Sequence, residues 1–73
     1  MTTITFEVEE DFEDGGYVAQ AYTDQNEHIV TQADTVEELK EMIIDALNCH
    51  FENPIDIPHQ VIMKFVRQEI FAF

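Results

Sequence analysis

Only one segment of this 73-residue chain repeats its apolar residues at helical spacing, and a complete start signal precedes it. Thr35 is followed three residues later by Glu38, a capping-box pattern in which each side chain satisfies the other residue's free backbone N–H. Asp34 and Glu37 add negative charge where the helix dipole is positive. Val36, Leu39, Ile43, Ala46, Leu47 and His50 then form one stripe. Met42 and Cys49 flank it on one side, Ile44 and Phe51 on the other. Glu37, Glu38, Glu41, Asp45 and Glu52 occupy the solvent side. The spacing predicts a helix from Val36 to about Phe51, ending before "ENPIDIP", where Pro54 and Pro58 bracket an extended linker. The apolar arc is about twice the ~100° that covering one sheet requires, which leaves part of it for a second subunit.

The rest of the chain reads as strands. Ile4, Phe6 and Val8 alternate with Thr3, Thr5, Glu7 and Glu9, the pattern of a half-buried strand. Asp14-Gly15-Gly16 is a turn signal, because glycine tolerates the positive φ of hairpin connections. "YVAQAY" follows as the antiparallel partner, "TDQNEH" as a polar loop, and "IVTQA" as a third short strand. The final stretch, "VIMKFVRQEIFAF", is apolar on both faces: Val61, Met63 and Phe65 point one way, Ile62, Val66 and Ile70 the other. Thirteen extended residues would span ~43 Å, against ~17–20 Å for an ordinary strand, so this stretch must bend, break or overhang. The expected fold is α+β in the order β-β-β-α-β, a three-stranded antiparallel meander plus a C-terminal strand with one helix on one face. A right-handed crossover places the last strand parallel to the first. No repeat or linker divides the chain, so residues 1–73 are expected to be one domain.

Sixteen acidic residues stand against Lys40, Lys64 and Arg67, a net charge of −13. Binding nucleic acid requires neutralising phosphates with cations, so direct DNA or RNA contact is not expected. The field favours a basic partner, and the plainer alternative is that the charge serves solubility alone. One cysteine, Cys49, excludes an internal disulfide and offers no zinc pair. Its place beside the helix stripe predicts a buried, inert thiol. The start lacks a signal-peptide pattern and no segment approaches a membrane span, so the expected compartment is the cytoplasm. So small a chain sits near the margin of stability, and self-association would help it.

The residues nominate few chemical sites. Glu7, Glu9, Glu10, Asp11, Glu13 and Asp14 form a carboxylate row that could hold Mg²⁺ for nuclease chemistry, but such a row is more often a solvated face. His28, His50 and His59 have no second ligand at zinc spacing, and His50 reads as a satisfied core or interface histidine. No catalytic residue, metal or cofactor is expected. Tyr17 and Tyr22 fall on opposite faces of the second strand, so one should fill the core while the other reaches the outer face. Phe65, Ile70, Phe71 and Phe73, with Met42 on the helix flank, are the candidates for a homodimer or higher oligomer contact.

"GGYVAQA", Gly15 to Ala21, and "TQADTVEELKEMIIDAL", Thr31 to Leu47, resemble the HicB family of antitoxins in its short single-domain form. The resemblance covers residues 3 to 51 best. The Pro-Asp-Leu-Pro-Gly type loop frequent in that family is replaced by "TDQNEH", and the operator-binding domain many members carry is not expected here. The resemblance implies an incomplete RNase H-like fold and a non-catalytic role in toxin–antitoxin systems. It implies that the chain covers a HicA-type toxin, a small basic ribonuclease with a double-stranded-RNA-binding-like fold and a catalytic His. The residues expected to face such a toxin are Glu9, Asp11, Glu13, Asp14, Tyr22, Glu37 and Glu41. The alternative is a stand-alone dimeric binding domain.

Overall fold

The structure is a computed structural model that describes residues 2–67, 69 and 71–73. Its elements are β1 (Thr3–Glu10), β2 (Tyr17–Tyr22), β3 (His28–Ala33), α1 (Val36–His50), a single 3-10 turn (Pro54–Asp56) and β4 (Gln60–Phe65). The four strands form one mixed sheet in the order β3-β2-β1-β4. β1–β2 and β2–β3 are antiparallel, and β4 lies parallel to β1 with Ile4 opposite Val61, Phe6 opposite Met63 and Val8 opposite Phe65. This is the expected α+β architecture.

Period-two alternation sorts the side chains of the sheet. Ile4, Phe6, Val8, Ala19, Ala21 and Ile29 point under the helix and are buried with Leu39, Ile43 and Leu47. Burying such side chains is worth about 1.5–3 kcal/mol each for the larger ones, which makes this cluster the main source of stability. The two alanines of β2, Ala19 and Ala21, are buried in this cluster, and Phe6 is completely buried as its largest member. Tyr17 packs against this core, whereas Tyr22 lies on the opposite face and is 58% exposed.

Helix α1 begins as the sequence dictates. The Glu38 N–H donates to Thr35 Oγ1 (3.1 Å), and Thr35 is extended (φ −129°, ψ 160°) as an N-cap must be. Only that half of the capping box forms among the described residues, and Glu38 is among the residues lining a cleft beside the sheet. The helix ends at His50, one residue short of the expected Phe51, whose N–H still closes on the Leu47 carbonyl (3.2 Å).

The helix is too narrow for its sheet. Four strands at ~4.8 Å spacing place the outer two ~14 Å apart, whereas a helix with its side chains is ~10–12 Å across. α1 packs chiefly over β3 and β2 and leaves the inward-facing side of β4 thinly covered. Ile44, on the β4 side of the helix, is therefore 56% exposed, and Phe65 is 55% exposed. The same offset toward β3 corrects the expectation for Cys49, which is exposed rather than buried. Cys49 is on the opposite, Met42 flank, beside the edge strand β3 rather than over the sheet centre. The last strand also ends early. The Val66 N–H donates to the Val8 carbonyl (2.8 Å), and no strand is assigned to the described residues beyond Phe65. No helix among the described residues is long and apolar enough to cross a membrane.

Candidate functional site: an acidic cleft at the hairpin end

The β1–β2 connection is a six-residue loop, residues 11–16, and Asp11 organises it. Asp11 Oδ1 accepts from the Glu13 N–H (3.0 Å) and the Asp14 N–H (3.2 Å), and the Asp11 N–H donates to the Gly16 carbonyl (2.9 Å). Both glycines have positive φ, +79° at Gly15 and +82° at Gly16. Gly16 has a second duty. A Cβ there would stand 2.7 Å from the Ala33 carbonyl oxygen and 3.3 Å from Asp34 Cα, so only glycine lets the loop press against the chain as it enters α1.

That close approach creates a cleft of about 690 Å³ between the loop, the ends of β2 and β3, and the first two turns of the helix. Its acidic lining is Asp11, Asp14, Asp34, Glu38 and Glu41; Tyr17, Val18, Ala33 and Met42 supply the apolar part. None of Lys40, Lys64 and Arg67 lines it. The positive end of the helix dipole amounts to roughly half a charge, which offsets only a small part of five carboxylates. Lines of field leaving a concave surface of one sign are focused, so the cleft attracts cations and guanidinium or ammonium groups. Among the described residues no group of three His, Cys, Asp or Glu side chains converges closely enough to hold a metal ion. The carboxylate row of β1 diverges: Glu7 lies on the open sheet face in register with Lys64, while Asp11 belongs to the loop.

The expected partner-facing residues divide into groups. Asp11, Asp14 and Glu41 meet in the cleft. Glu13 is exposed at the loop tip, and Glu37 is exposed in the first helical turn. Glu9 is half-buried on the open face, opposite Val18. Tyr22 is at the far end of β2, about 17 Å from Tyr17 at ~3.4 Å per residue, and stacks on His28 with ring centroids 4.6 Å apart. The His28 ring in turn meets Gln20 Oε1 (3.1 Å). This second patch, with Val30 and Ile62 exposed on the same sheet face, is partly apolar and includes a recess of about 300 Å³ lined by Thr5, Glu7, Gln20, Tyr22 and Lys64. Asp34 and Glu38 are cleft residues that the sequence reading assigned only to helix capping.

Among the oligomer candidates, Phe65 is on the inward face of β4, Phe71 and Phe73 are exposed with centroids 6.3 Å apart, and Met42 is on the opposite flank, in the cleft wall. Ile70 lies outside the described residues. His50 is half-buried, with Nε2 3.1 Å from Glu27 Oε2, and tethers the β2–β3 loop to the end of the helix.

Fold and cleft together define a small two-layer α+β domain whose prominent surface is an anionic recess. The chain belongs to the UPF0150 family. It is 43% identical over 60 residues to a UPF0150 protein of Thermotoga maritima, covering 82% of this chain and 79% of the relative. It is 51% identical over 49 residues to a UPF0150 protein of Archaeoglobus fulgidus, covering 67% of each. No family model matches the chain. No solved structure matches it either.

Proposed function

We propose that this protein is a non-catalytic, HicB-like antitoxin that binds a small basic HicA-type ribonuclease and occludes its RNA-binding face. The observation that carries this reading is the acidic cleft, which Asp11, Asp14, Asp34, Glu38 and Glu41 line with none of Lys40, Lys64 and Arg67 among them. Kinship with UPF0150 proteins and the β-β-β-α-β order support it, since both suit the small antitoxin-like domain that the sequence resembles. The chemistry is occlusion. Lys and Arg side chains that a ribonuclease uses on phosphate are the groups a carboxylate-lined recess takes up, through charge-assisted hydrogen bonds. Steering by a field of this sign raises association rates by roughly 10- to 1,000-fold at low salt.

The test is co-expression with a HicA-type toxin, a small basic ribonuclease, scoring copurification and relief of growth arrest. The expected result is a stable complex and restored growth. Asp14→Lys with Glu41→Lys should weaken both, while leaving the circular dichroism spectrum of the chain unchanged. If neither complex nor rescue is found, the reading fails. RNA cleavage by the purified chain alone would overturn it as well.

A further inference from the structure

On the other flank of α1 lies a groove of about 230 Å³, lined by Lys40, Ile43, Ile44, Val61 and Met63. It exists because one helix cannot cover four strands, and it contains no carboxylate in a chain of net charge −13. The chain's own C-terminal stretch carries the complementary surface. Phe71 is 79% exposed and Phe73 wholly so, and the two rings stand side by side. The domain is correspondingly drawn out, with extents of 51 × 21 × 17 Å and a radius of gyration of 13.5 Å, against about 11 Å expected for a compact chain of this length.

We infer that the groove of one copy is filled by the Phe71–Phe73 tail of a second copy, and that the exchange is reciprocal about a two-fold axis. Two observations choose this occupant. First, the groove lies beside Val61 and Met63, upstream of the tail on the same strand, so the tail could reach its own groove only by reversing direction after Phe65. Residues 66–73, "VRQEIFAF", contain no Gly, Pro, Asn or Asp with which to make that reversal. Eight residues can reach at most ~26 Å, enough for the rings to meet a neighbour. Secondly, the area suffices. Four exchanged rings at ~150–250 Å² each, matched by the surfaces that receive them, bury roughly 1,200–2,000 Å², the size of a standard stable interface. An exchange of identical tails closes as a dimer and leaves no open end. The acidic cleft lies on the Met42 flank of α1, the groove on the Ile44 flank, so the dimer leaves the cleft free.

Sedimentation of the purified full chain tests this. The wild type should run as a dimer of 8.5 kDa chains. Phe71→Asp with Phe73→Asp, and separately Ile44→Glu, should each raise the dissociation constant by about 30-fold or more, the effect of losing an aromatic anchor or its pocket. All three positions are exposed in the single chain, so its circular dichroism should not change. Mixing the tail variant with the groove variant should restore a heterodimer, because one intact tail then meets one intact groove. In a Cys49→Ser background, Ile44→Cys mixed with Phe73→Cys should be joined between chains by a short-arm bis-maleimide. A wild-type monomer, a dimer unmoved by these substitutions, or a cross-link formed within single chains of the Ile44→Cys, Phe73→Cys double variant would overturn the inference.

Discussion

Substituting the two adjacent glycines separately tests how the cleft is built. Gly15 and Gly16 have nearly equal positive φ, so a methyl group costs the same backbone strain at each, about 1–2 kcal/mol. Their surroundings differ. Nothing lies within 4 Å of a Cβ at Gly15, whereas one at Gly16 would press into the Ala33 carbonyl at 2.7 Å. The obstacle is backbone, which has no rotamer to change. Relief requires moving the loop away from the helix entry, a displacement that adds about 1–3 kcal/mol. Gly15→Ala should therefore cost about 1–2 kcal/mol and Gly16→Ala about 2–5 kcal/mol. A chain of this size has only about 4–11 kcal/mol in total, so the second variant stands near the edge of folding. Urea titration followed by circular dichroism, at one fixed chain concentration because any dimer would make stability concentration-dependent, resolves the two. With an m-value near ~1 kcal/mol/M, their midpoints should differ by about 1 M or more. Equal midpoints would show that the loop does not depend on the approach of Gly16 to Ala33, and the account of the cleft would be wrong.

Other expectations are briefer. Thr35→Ala should destabilise by about 1 kcal/mol through loss of the bond from the Glu38 N–H, with Thr35→Ser close to wild type in the same titration. Phe6→Ala, at a fully buried position, should cost about 3–5 kcal/mol and leave a chain largely unfolded by near-ultraviolet circular dichroism at 37 °C. His50→Ala removes a partly exposed pair with Glu27, and its cost should stay within about 1 kcal/mol by urea titration. Salt should act with opposite signs on the two proposed contacts: capture of a basic partner weakens as sodium chloride rises, while self-association of two acidic chains strengthens, both measurable by titration calorimetry or sedimentation.

The elements were legible because each rests on local rules. β1 follows from strict alternation, the helix from Thr35 and its stripe, and the parallel fourth strand from the need for a helical crossover. Surfaces were harder. That Asp34 and Glu38 join Asp11 and Asp14 depends on the loop meeting the helix entry, a contact between residues some twenty positions apart. A signal for it was present. The chain's only two glycines are adjacent, and a turn that needed one left the other to explain. Cys49 defied the helical wheel, whereas the exposure of Ile44 fits an apolar arc wider than one sheet covers. A wheel shows which direction a residue faces, but not how wide the opposing sheet is. Leu39, Ile43 and Leu47 are covered by strands, while the flanks on either side of them are not.

Those two uncovered flanks have opposite chemistry, and the division follows from the order of the strands. Toward β3 the helix edge meets the glycine loop, and acidic side chains gather where a helix N-terminus partly offsets their mutual repulsion. Toward β4 the edge meets Val61 and Met63, with Lys40 as the charged residue of the lining. A dimer formed through the cleft would bring ten carboxylates together in a space where their repulsion is poorly screened. A dimer formed through the groove meets no carboxylate in its lining and leaves each cleft open to solvent. Electrostatics thus favours the apolar flank for the proposed self-association and the anionic one for the proposed capture of a basic partner, and a single helix laid across half of its sheet leaves both surfaces exposed.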